Sequence, residues 1–205
     1  DMDKVSPAPT SWNDLWDPKY KGKILVSDID SDIITMTAQS LDIKDPFHLD
    51  EVQLAQVRDK IATLLSHSKA IYKSAEESLR MWEEGDIVMM FANFGELQET
   101  MFDKAGHNVR YVFPEVNDTF AWLDVFSLTA GVEPGTERYE CAHQWVNFFL
   151  EKKISEQMTE RYGYGSTVSA AASYRSTDRV IWKTDVESDQ GRTDMWNELK
   201  AGAGQ

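Results

Sequence analysis

Three aspartates, Asp28, Asp30 and Asp32, stand within five residues, directly after the apolar run Ile24-Leu25-Val26 and Ser27. Carboxylates in that position can serve several chemistries. A calcium loop starting at Asp28 would need glycine at its sixth position and an acidic twelfth ligand. Ile33 and Gln39 stand there, so that reading is excluded. A phosphoryl-transfer reading makes Asp28 the nucleophile and Asp30 the acid/base, with Mg²⁺ neutralising the phosphate. Against it, no later Asp-Asp metal pair follows an apolar strand. A third reading is a ligand site, since open α/β folds bind ligands at the carboxyl ends of strands. The plain alternative is helix capping by Asp30 or Ser31, with acidic side chains favoured near a helix N-terminus. Capping and binding are compatible.

Trp122-Leu123-Asp124 is the second candidate. On a strand, residues two apart share one side of the pleat. An indole face beside a carboxylate suits an ammonium group: the ring adds about 0.5–2 kcal/mol of cation–π attraction, and the carboxylate a charge-assisted hydrogen bond. A core tryptophan beside a surface aspartate accounts for the same residues without a ligand. His48, His67, His107 and His143 show no metal-ligand spacing, and no nucleophile-elbow, P-loop or dinucleotide fingerprint occurs. The single cysteine, Cys141, excludes an internal disulfide and a thiolate metal cluster, and reads as a small buried apolar residue in a helix. No cofactor is implied.

The elements that would position these residues alternate between strand and helix. Ser11 and Asp14 read as the capped start of a short helix carrying Trp12, Leu15 and Trp16, and Pro18 forces its end at Asp17. A strand over 23–28 leads into a helix bearing Ile33, Ile34, Met36 and Leu41. An amphipathic helix over 50–65 carries Leu54, Val57, Ile61, Leu64 and Leu65. Ala70–Tyr72 reads as a strand, and Ser74 with Glu77 as a capping box opening a helix to Gly85. Asp86–Ala92 is a buried strand ending at Asn93, and a helix then runs to Gly106. Strands are expected at 109–113 and 119–128, and helices at 139–150, 154–161 and 189–200, with a strand at 180–182. This alternation implies an α/β fold, a mostly parallel sheet flanked by helices.

With 205 residues, 41% hydrophobic and 11% aromatic, the chain can bury a core. The formal net charge of −14 argues against nucleic-acid binding. It suits a cationic ligand as well as a plain solvated acidic surface. No apolar run reaches the roughly 18 residues of a membrane span, and no signal peptide is visible. The absence of Met at position 1 is expected of a processed chain or of a piece of a longer one.

The stretch from Pro9 to Ile24, P-T-S-W-N-D-L-W-D-P-K-Y-K-G-K-I, closely resembles the segment that opens the second lobe of bacterial ABC-importer solute-binding proteins. The nearest branch is the spermidine/putrescine-binding type. The resemblance extends to Glu198-Leu199-Lys200-Ala201-Gly202. It implies a type II periplasmic-binding-protein lobe: an inter-lobe linker at 1–10, the second lobe at 11–165, and a tail at 166–205 that packs on a first lobe absent here. It further implies a non-enzymatic periplasmic protein that captures a small amine-bearing solute, a polyamine or an ω-amino acid, in an inter-lobe cleft. ABC permease subunits would be its partners, and it would close by hinge motion. A half-clamp would bind weakly and expose apolar surface through which it could self-associate. The alternative is a Mg²⁺-dependent haloacid-dehalogenase-type phosphatase using Asp28 and Asp30.

The resemblance also assigns site residues. Trp122 and Asp124 match a Trp-x-Asp that grips an amino group, and Asp32 matches an acidic residue after the first strand of the lobe. Tyr164, in Gly163-Tyr164-Gly165, matches a cleft tyrosine in Gly-Tyr-Pro, without the proline. Asn93 falls near a cleft tryptophan, so one aromatic wall is absent. Lys183, in Trp182-Lys183-Thr184-Asp185-Val186, replaces a ligand-contacting glutamine. A lysine in the cleft repels an ammonium and attracts a carboxylate, favouring a zwitterion; a lysine pointing into solvent would leave the ligand class open.

Overall fold

Ile24–Ser27 forms β1, and all four of its residues are buried. A strand covered on both faces reads as a continuous apolar run rather than an alternating one. Its neighbours are β2, Ala70–Tyr72, and β3, Met89–Met90, in the parallel order β2-β1-β3. Val26 sits opposite Ile71, and Leu25 opposite Met90. Parallel neighbours need crossovers. Helices α1, Asp30–Ser40, and α2, Glu51–His67, connect β1 to β2, and α3, Ala75–Glu84, connects β2 to β3. The computed structural model describes residues 1–163, 165–168 and 179–204.

Local signals account for the element starts. Ser11 and Asp14 form a reciprocal capping box, although the turn they open, Trp12–Trp16, is a 3-10 helix. Asp50 and Gln53 do the same for α2. Ser74 accepts from the Glu77 amide, but Glu77 answers the Lys73 amide rather than that of Ser74. The start of α1 departs from expectation: its N-cap is Ile29, and Asp30 and Asp32 lie in the first turn without capping it.

The chain divides into two compact units, Asp1–Ala121 with Asp178–Gln205, and Trp122–Thr177. The boundary differs from the lobe expected over 11–165. The first unit continues through α4, Glu96–Lys104, to β4, Thr119–Ala121, which pairs in parallel with β5, Val180–Trp182. Its last helix, α7, is Asp189–Ala203. Where the sequence placed the tail on an absent lobe, α7 packs on α1 and α2. Met195 and Trp196 join Ile33, Ile34, Val57 and Ile61 in one core. The N-terminal stretch read as a linker also lies on this unit, with Val5 in the same core and the Met2 amide bonded to Asn108 O.

The second unit contains α5, Glu137–Leu150, and α6, Lys152–Tyr162. Thr136 caps α5, and Gly163, at φ 71°, ends α6 in the left-handed region that favours glycine. Phe126, Trp145 and Phe148 all meet Phe149, with ring centroids 5.2–5.4 Å apart. Neither helix has a buried residue. Cys141 is exposed, contrary to expectation, on a helix none of whose residues is buried.

Three predicted strands shorten or vanish, and of the one expected over 86–92 only Met89–Met90 pairs with β1. The strand expected over 119–128 ends at Ala121, where the Lys183 amide donates to Ala121 O at 2.8 Å and closes the ladder with β5. Beyond it Leu123, Val125 and Phe126 are exposed, since apolar residues form a strand only where a partner supplies hydrogen bonds. Residues 109–113 are not a strand, and the Tyr111 amide donates instead to Glu99 Oε1 at 2.9 Å.

Candidate functional site

The three aspartates after β1 have separate fates. The carboxylate of Asp28 accepts from the Trp196 indole N–H at 2.7 Å and from Lys200 Nζ at 2.6 Å. Burial pushes its pKa up, but these two donors and the Lys200 charge outweigh burial and hold it below the usual carboxylate range. Asp30 accepts from the Thr193 hydroxyl at 2.5 Å and from the Ser31 amide. Asp28 and Asp30 thus dock α7 onto the β1–α1 turn. Arg192 completes the clasp. It is 1% exposed and donates to both Glu187 carboxylate oxygens, to Thr35 Oγ1, and to the carbonyls of Pro46 and Phe47. The phosphatase reading has no support: its nucleophile and its acid/base are both bonded to the C-terminal helix. Among the described residues, no three His, Cys, Asp or Glu side chains could hold a metal ion together.

Asp32 is different. It is only 2% exposed, in the first turn of α1, where the positive helix end favours a carboxylate. It forms an ion pair with Lys183, and Ser31 Oγ donates to it at 3.3 Å. Lys183 follows β5 directly, and its Nζ also lies 5.5 Å from the centroid of the Phe120 ring. The lysine side chain therefore turns toward Asp32 and Phe120.

Asn93 follows β3, and its amide donates to Tyr72 Oη at 3.2 Å. Tyr72 ends β2 and donates in turn to Phe91 O at 2.6 Å. Burial, with the negative charge of Asp32 adding to it, pushes the Tyr72 phenol up to about 12. The carboxyl ends of β1, β2 and β3 thus carry Ser27, Asp32, Tyr72 and Asn93. Ser27 Oγ and Asn93 Oδ1 are buried there with no partner among the described residues. Such atoms are costly unless something else satisfies them. Sequence reasoning named Asp32, Asn93 and Lys183 as candidates and Ser27 as one of the polar residues closing the first strand; Tyr72 was not among them, its only signal being its place at the end of a predicted strand.

Trp122 and Asp124 fall in the second unit, beyond the end of β4. Both are exposed, Trp122 at 49%, and the argument from a shared pleat does not apply to them. Tyr164 lies outside the described residues. A separate apolar hollow of about 130 Å³ in the first unit is lined by Trp12, Leu15, Trp82, Met89, Phe102 and Val109, and none of the described site residues reaches it.

Residues 1–185 match the family described as bacterial extracellular solute-binding protein. The chain belongs to that family. Among curated members it is 27% identical over 191 residues to the spermidine/putrescine-binding periplasmic protein of Escherichia coli (strain K12), covering 89% of this chain and 50% of the relative. It is 23% identical over 155 residues to the spermidine/putrescine-binding periplasmic protein 1 of Haemophilus influenzae, covering 76% and 40%. The chain thus spans about half the length of the curated solute-binding relatives it matches. Among solved structures, the spermidine/putrescine ABC transporter substrate-binding protein PotD from Streptococcus pneumoniae aligns with TM-score 0.65 at 19% identity, over 98% of this chain and 63% of that one. The TpPotD lipoprotein of Treponema pallidum aligns with TM-score 0.69 at 15% identity, over 98% and 64%. At these identities the two structures speak for the fold, that of periplasmic solute-binding proteins.

Proposed function

We propose that this chain is part of the substrate-binding component of an ABC importer that captures a small amine-bearing solute in the periplasm and presents it to a membrane permease. The observation that carries this reading is the buried carboxylate of Asp32. It stands at the carboxyl end of a parallel sheet and holds a cation, in a family whose curated relatives are named for binding spermidine and putrescine. A buried carboxylate is stable only with a counter-ion, and here the ammonium of Lys183 fills that place. Asn93 adds a carbonyl oxygen that has no partner among the described residues. Separately, and on sequence resemblance alone, Trp122 and Asp124 are proposed as an indole and a carboxylate that grip an amine, and Tyr164 as a further ligand contact. The protein works by binding and release and has no catalytic role. Among the described residues no helix is long and apolar enough to cross a membrane.

Calorimetric titration of the full-length protein with putrescine, spermidine, γ-aminobutyrate and betaine tests the reading. Saturable binding of at least one amine, weakened tenfold or more in Asp124→Asn, is expected. Absence of heat with all four would remove the amine-capture function and leave only the family and the fold.

A further inference from the structure

In a site that grips an ammonium through a buried carboxylate, the ligand is the counter-ion. Here the counter-ion is part of the chain. Lys183 is anchored at the end of β5 by the hydrogen bond its backbone N–H donates to Ala121 O, lies against Phe120, and reaches the carboxylate of Asp32. A tethered group competes at an effective concentration of about millimolar or more, without the entropy a free molecule loses on binding. A free amine arriving at Asp32 must displace it and sit beside a like charge.

We infer that Lys183 is a specificity-determining residue, a built-in ammonium that takes the Asp32 subsite and restricts the protein to solutes with one cationic group and an uncharged polar remainder. This rests on the solute-binding reading above and sharpens its ligand class. The pairing works in both directions. Because Asp32 matches the charge of Lys183, the lysine is a poor anchor for a ligand carboxylate, so the zwitterion that its sequence position favoured is not the preferred class. What the same sheet edge offers instead is neutral: Ser27 Oγ and Asn93 Oδ1, without a partner among the described residues, are suited to a hydroxyl or an amide.

Three solutes with four-carbon backbones separate the cases in the full-length protein: putrescine with two ammonium groups, γ-aminobutyrate with one and a carboxylate, and 4-amino-1-butanol with one and a hydroxyl. The expected order in the parent protein places aminobutanol at least tenfold tighter than either of the others. Lys183→Gln is expected to gain at least tenfold in putrescine affinity. Because that variant leaves Asp32 without its partner and can lose stability, the neutral pair Asp32→Asn with Lys183→Gln is measured beside it, with melting curves for all three. The double variant is expected to stay folded and to show no gain for putrescine. Putrescine binding to the parent as tightly as to Lys183→Gln would overturn the inference, as would an equal gain in the double variant. Tighter binding of γ-aminobutyrate than of aminobutanol, lost in Lys183→Gln, would overturn it by placing Lys183 on a ligand carboxylate. Absence of binding by all three solutes to parent and variants alike would sink the solute-binding reading itself, and the inference with it.

Discussion

Helices α1 and α5 both carry apolar residues at helical spacing, yet they end in opposite environments. In α1 every residue from Asp32 to Ser40 is buried, because α2, α7 and the Trp12–Trp16 turn pack against it. In α5 no residue is buried, and Trp145 is 59% exposed. Periodicity specifies which face of a helix seeks cover; whether cover exists depends on what the rest of the chain brings to it. The first unit closes its own core by returning α7 from far along the sequence. The second contains a helix pair with a small ring cluster, and among its described residues Trp145, Phe148 and Leu150 stay exposed. Since the chain spans half of its curated relatives, that contrast can be tested by substitution in each unit.

The largest effect is expected at Trp196, 2% exposed in the core and bonded to Asp28. Trp196→Ala should cost about 3–5 kcal/mol through the lost ring and the cavity left behind, read by denaturant unfolding. A loss below 1 kcal/mol would mean that α7 is not part of the first unit's core in solution.

Next comes the clasp itself. The Asp28 carboxyl is held below its ordinary range in the fold, so on acidification the unfolded chain takes up the proton first. The stabilisation it brings is complete above about pH 4, the ordinary aspartate value, and fades as the pH falls below it. Glu187 follows the same rule: burial pushes its pKa up, but its bonds to Arg192 and to backbone amides outweigh that and hold it low. Lys200→Met should cost about 1.5 kcal/mol at neutral pH, the scale of a hydrogen bond to a charged group, and should flatten the acid limb of a stability-versus-pH curve. An unchanged limb would place the acid-sensitive groups elsewhere.

A smaller effect is expected at Tyr72. Tyr72→Phe removes the bond to Phe91 O and the acceptor for the Asn93 amide, at a cost of about 1 kcal/mol. With the folded phenol at about 12, stability should decline as the pH rises from about 10, where the unfolded chain ionises. The variant should lose that part of the alkaline slope, which spectroscopic titration of the phenols would follow.

The smallest effects belong to the second unit. Trp145→Ser in this chain should change stability by no more than about 0.5 kcal/mol, as for an exposed position, and Cys141 should react readily with a thiol reagent. Repeating both on the full-length protein sharpens the comparison. Protection of Cys141 there, with a cost at Trp145 approaching that at Trp196, would show that the apolar face of α5 is covered by the remainder of the protein. Equal reactivity in both would mean that it stays open.

Much of the first unit was legible from local chemistry. The Ser11–Asp14 box, the stop at Pro18, the buried run of β1 and the helix ending near residue 200 are decided by neighbours a few positions apart. Strand lengths were not, because a strand extends only as far as a partner distant in sequence pairs with it. Thus 119–128 shrank to Thr119–Ala121 against Val180–Trp182. The site was legible in part. Asp32 and Lys183 are 151 positions apart, and residue type alone could not show that the second neutralises the first. Likewise Asp28 and Asp30 carry a pattern that also fits catalysis; only their bonds to Trp196, Lys200 and Thr193 show them docking a helix.

The sequence by itself determined the strand–helix alternation, the family and the residue types gathered around β1, because capping, periodicity and motif spacing act over a few residues. The tertiary structure decided which carboxylate holds which cation, where α7 packs and which apolar face stays bare. Those outcomes depend on contacts between segments far apart in the chain, where burial makes a charge costly unless its partner arrives with it.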